Sequence, residues 1–77
     1  MDVKGILMEH AGDVGKKSDA QIAKEVKAQI KANVGHGISR QYYDNNVVSE
    51  PHYRADNIRG CIANALKSAG AFDQMHW

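Results

Sequence analysis

The apolar positions of this chain recur at three- and four-residue intervals over most of its length, and the alternation expected of strands is absent. The clearest stripe is Ile22, Ala23, Val26, Ile30 and Val34, which falls within one arc of about 120° on a helix. Ser18 precedes it as N-cap with Gln21 three residues on, Asp19 lies in the first turn, and Gly35 and Gly37 flank His36 at the far end. A helix over 18–34 is expected. A second strong stripe, Ala55, Ile58, Ile62, Ala65, Leu66 and Ala69, ends at Gly70; with Ser49 as cap and Pro51 in the first turn it predicts a helix over 51–69. Weaker patterns predict a helix over 3–11, carried by Val3, Ile6 and Leu7 and broken near Gly12 and Gly15, and a short one over 39–45 started by Ser39 and ended by Asn45 and Asn46. The reading is all-α: a bundle of about four helices in one domain over 1–77, with no internal repeat. Residues 71–77, AFDQMHW, form a C-terminal tail expected to fold back over the core with Phe72, Met75 and Trp77.

Composition narrows this picture. Ile, Val, Leu and Phe supply only 15 of 77 residues, a thin allotment for a chain of this size, so a second copy is expected to complete the burial as a homodimer. Ten alanines suit helices. The single Cys61 excludes an intrachain disulfide, and MDVKGILMEH has too short an apolar run for a signal peptide or membrane span, so a cytoplasmic setting is expected.

The overall charge of +1 conceals an uneven layout. Residues 16–40 hold six cations, Lys16, Lys17, Lys24, Lys27, Lys31 and Arg40, against Asp19 and Glu25 alone, a local net charge of +4. Lys24, Lys27 and Lys31 line up beside the apolar stripe of the same helix. With Lys17 they suit the phosphates of double-stranded DNA, while lysines so placed also serve as a solvated flank whose stems cover the core edge.

SDAQIAKEV at 18–26 resembles the first helix of helix-turn-helix DNA-binding domains, and GISRQYYDN at 37–45 resembles their turn and recognition helix. The two segments are separated by KAQIKANVGH, and Tyr43 stands where the family has an aliphatic anchor. The resemblance covers about 28 residues. It implies a small regulator of transcription, of the kind carried by phages and mobile elements, in which Ser39, Arg40, Gln41 and Tyr42 face the bases. Arg40 and Gln41 carry the groups that suit guanine and adenine edges. Of the adjacent rings Tyr42 and Tyr43, about 100° apart on a helix, one is expected in the core and the other outside. The alternative is a protein-binding module or inhibitor that uses Met8, Phe72, Met75 and Trp77 against a larger complex.

Other chemistry has no spacing to support it. His10, His36, His52 and His76 show no i,i+4 pairing and Cys61 has no CxxC companion, so no metal or cofactor is expected. Cys61 beside the Ile58–Ile62 stripe reads as a boundary apolar residue, and GHG lacks the length and preceding strand of a phosphate loop. An enzyme is not expected.

Overall fold

Helix α1 (Val3–Glu9) starts where Asp2 accepts the Gly5 amide, and α2 (Asp19–Ala32) starts where the Ser18 hydroxyl accepts the Gln21 amide. Each cap satisfies an amide that the first turn would otherwise leave unpaired. Helix α3 (Arg40–Tyr43) begins in the same way, with the Ser39 hydroxyl accepting from the Tyr42 amide, and α4 spans Ile58–Ser68. The computed structural model describes all residues 1–77. It has four helices and no strand, and its radius of gyration of 11.8 Å is close to the ~11.5 Å of a compact chain of this length.

The caps yield a stability prediction. Ser18→Ala and Ser39→Ala should each cost about 1 kcal/mol, and Ser18→Gly only a few tenths, in urea titrations followed by circular dichroism. Equal losses for alanine and glycine at 18 would show that the hydroxyl does not cap.

The core lies where α1 packs on α4 and α2 packs on both. Ile6, Val14, Ile22, Val26, Ile30, Ile58, Ile62 and Leu66 are its largest fully buried side chains. All but Leu66 are β-branched and restricted at χ1, so a small core is built from stiff parts. Ile22, Ala23, Val26 and Ile30 are buried as the stripe of α2 requires, while Val34 lies beyond the helix and is only half-buried.

The two connectors flanking α2 share one construction. Asp13-Val14-Gly15 leads to Ser18, and Asn33-Val34-Gly35 leads to Ser39. The Asp13 carbonyl accepts the amides of Lys16 and Lys17, and the Asn33 carbonyl accepts those of His36 and Ile38. A parallel bridge closes each turn, Val14 with Lys17 and Val34 with Ile38, and the glycines have φ of 85° and 84°. The second turn is one residue longer and places Gly37 at φ 111°. A local repeat is therefore present where none was expected; the motif is only a few residues long and differs by one in length between its copies.

Besides the end of α2 at Ala32 rather than Val34, three boundaries differ from the sequence expectation. The first helix stops at Glu9 and continues as a tight turn, Ala11–Asp13. The third does not end at Asn45: it widens over Asp44–Ser49 into a π-type turn, where the Glu50 amide reaches back to the Asn45 carbonyl. The last helix starts at Ile58 rather than near 51, so Ser49 precedes, and Pro51 lies within, a non-helical crossing over 50–57. In that crossing the Asn57 side-chain Nδ2 donates to the His52 carbonyl, and Tyr53 is buried with its hydroxyl paired to that of Tyr42. The tail folds back in part: Met75 packs against the core and His76 Nε2 donates to the Val14 carbonyl at 2.8 Å, whereas Phe72 and Trp77 are 60% and 40% exposed. No helix is long and apolar enough to cross a membrane.

Candidate nucleic-acid interface

Lys24, Lys27 and Lys31 project from the exposed side of α2 within an arc of about 60°, because spacings of three and four residues superpose on one helix face. All three are exposed, and none lies within ion-pair distance of a carboxylate. Their stripe flanks the buried face of the same helix, so the stems shield the core edge while the ammonium groups remain in water.

The other positions named from sequence are engaged differently. Lys17 stands on the opposite flank of α2, 3.0 Å from Glu25 Oε1 and 3.7 Å from Asp13 Oδ2. The Glu25 hydrogen bond holds its ammonium above its ordinary pKa. Ser39 is occupied as the cap of α3. Arg40 is exposed and paired with Asp44 one turn on, at 3.1 Å, which offsets its charge locally. Gln41 is exposed. Tyr42 is half-buried, its hydroxyl bonded to Tyr53; burial, and then that bond, pushes the Tyr53 phenol well above the ordinary range. Tyr43 is half-buried against the core as well, so the expected split of one ring inside and one outside is replaced by two rings that both pack. Arg59 reaches Asp19 at 2.9 Å and Arg54 reaches Asp56 at 3.3 Å. The structure thus brings Lys24, Lys27 and Lys31 together and sets Lys17 apart from them.

A second polar centre was not legible from spacing. His10, at the end of α1, is only 5% exposed. Its Nδ1 lies 2.9 Å from Asp13 Oδ2 and its Nε2 2.6 Å from Gln29 Oε1. Glu25, one turn before Gln29, brings its carboxylate to the same place, and the ligating atoms of His10, Asp13 and Glu25 all lie within 4.8 Å of one another. Gln21 donates to Glu25 at 2.9 Å; that bond first, and the Lys17 ammonium second, hold the Glu25 carboxyl below its ordinary pKa. The i,i+3 pair His10–Asp13 is visible in the sequence, whereas Glu25 and Gln29 join only through the packing of α2 on α1.

A surface groove of about 440 Å³ runs between α1 and α4, floored by Val3, Leu7, Tyr53 and Ala65, with Cys61 in its wall. Burial pushes the Cys61 thiol above its ordinary pKa, which disfavours the thiolate that nucleophilic chemistry needs.

No protein-family model, curated protein or solved structure matches this chain.

Proposed function

We propose that this chain binds double-stranded DNA through the phosphate backbone, with Lys24, Lys27 and Lys31 of α2 as the contacting groups. The observation that supports this reading most directly is the stripe itself: three exposed ammonium groups on one helix face with no internal carboxylate to answer them. Arg40 and Gln41, exposed at the start of α3, are the groups available to base edges. Ser39 and Tyr42 act in this reading as supports, one starting α3 and the other fixing it to Tyr53. The helix-turn-helix likeness is carried by the succession of α2, connector and α3; α2 leans mainly on α1 and α4, so the lysine stripe bears the weight of the proposal.

Three phosphate contacts predict a slope of about −2.7 in log K against log salt, or roughly a 40-fold loss of affinity between 50 and 200 mM. Changing Lys24, Lys27 and Lys31 together to Gln should remove most of that slope in a fluorescence-anisotropy titration with a duplex oligonucleotide. Unchanged affinity and slope in the triple variant would overturn the assignment.

A second reading, a module that docks on a larger protein, is supported by the exposed Val48, Phe72 and Trp77. It predicts binding that changes little with salt and is weakened by Phe72→Ala and Trp77→Ala rather than by loss of the lysines.

A further inference from the structure

His10 is the most deeply buried of the polar side chains, and both of its ring nitrogens face oxygen atoms. A neutral imidazole carries one N–H and can donate to one of them only. When the N–H is on Nε2 and donated to Gln29 Oε1, Nδ1 presents its lone pair on the side of Asp13 Oδ2 and can ligate; when it is on Nδ1 it donates to Asp13 instead. The Glu25 carboxylate faces the same point, and the Lys17 ammonium, 3.0 Å from Glu25 and 3.7 Å from Asp13, already supplies positive charge at its outer edge.

We propose that His10 Nδ1, Asp13 and Glu25 form a site for a divalent transition-metal ion of the zinc class, with Lys17 as the internal cation that the ion displaces. The donor set of one imidazole and two carboxylates suits such an ion and leaves a coordination position for water. Gln29 Oε1 is placed to accept a hydrogen bond from the Nε2–H, the arrangement that fixes which histidine nitrogen ligates. Lys17 is attached to the connector, with a side chain about two-fifths exposed, so it can swing out without disturbing the core. A bound ion would join the end of α1, the turn after it and the middle of α2.

Titration of the metal-free protein with Co²⁺, read by its visible absorption, and with Zn²⁺ in competition tests this directly. Saturable Co²⁺ binding is expected in the wild type and about tenfold tighter binding in Lys17→Met, since removing the ammonium removes the competitor. Asp13→Asn and Glu25→Gln keep the shape and hydrogen-bonding capacity of the side chains and should each weaken binding at least tenfold, and His10→Phe should abolish it. Zn²⁺ should raise the thermal midpoint of the wild type and of Lys17→Met, with no rise in Asp13→Asn/Glu25→Gln. The exposed His36, His52 and His76 serve as a control: their joint change to Ala should leave the Co²⁺ signal intact. No saturable signal in either the wild type or Lys17→Met would overturn the proposal, as would a signal that survives Asp13→Asn/Glu25→Gln or disappears with the three exposed histidines.

Discussion

Ile62→Ala should remove 2–5 kcal/mol of folding stability, the range for deleting a buried branched aliphatic side chain and leaving a cavity. Small domains hold only about 5–15 kcal/mol in total, and 77 residues place this one toward the lower end, so the variant should keep only about 0–3 kcal/mol. Ile62 is fully buried at the middle of α4, the helix that packs on both α1 and α2. Ile62→Val keeps most of the volume and the β-branch, and should cost about 0.5–1.5 kcal/mol. Urea unfolding of the two variants measures the difference. A loss below about 1 kcal/mol for Ile62→Ala would mean that the α1–α2–α4 junction is not the element that holds the fold together.

The same junction explains what could be read in advance. The stripe of α2 was visible because its cap, its period and its stop are all local signals, and the buried residues Ile22, Ala23, Val26 and Ile30 follow from them. The start of α4 departs from its local signals for a reason equally physical. Ser49 and Pro51 form a good local start, but a helix begun there would carry Tyr53 more than about 100° away from the face shared by Ile58, Ile62 and Leu66. Breaking the helix lets Tyr53 turn inward and pair with Tyr42, eleven residues earlier, and the Asn57 side chain takes up the His52 carbonyl that the missing turn leaves free. A tertiary contact overrides a sound local signal. Phe72 and Trp77 show the converse: apolar residues in a short tail carry no period, and only Met75 of the three packs on the core.

The candidate sites divide along the same line. Lys24, Lys27 and Lys31 share a face because they share a helix, which spacing alone reveals. Whether a cation is free or paired depends on where carboxylates fold to. Lys17 could not be known to sit between Asp13 and Glu25 until α1 and α2 were placed, and the His10 centre draws on two elements whose contributions are separated by 15 and 19 residues. The lysine stripe and the His10 centre occupy opposite flanks of α2, so changes at one should leave the other's behaviour intact. Distant, unshared sites of this kind add in their effects on stability.

Gly37→Ala should cost more than Gly35→Ala, although both glycines lie in one turn and both have positive φ. At Gly35 a methyl group would meet nothing within 4 Å, so the penalty is conformational, about 1–2 kcal/mol for placing an L-residue at φ 84°. At Gly37 the backbone is at φ 111°, outside the left-handed helical well, and a Cβ would come within 2.8 Å of the Met1 carbonyl oxygen and 3.0 Å of its carbonyl carbon. Backbone atoms cannot yield as the tip of a flexible side chain can. Relief requires Met1 to leave, and its nitrogen donates to Asn33 Oδ1 at 3.2 Å and to the His36 carbonyl at 2.8 Å, bonds that close the turn against the start of α1. Losing exposed bonds of this type adds about 1 kcal/mol, bringing the expected cost of Gly37→Ala to roughly 2–4 kcal/mol in urea titrations. Equal costs at the two glycines would show that Met1 is not held against the turn, and that the extra residue of the second connector serves only its length.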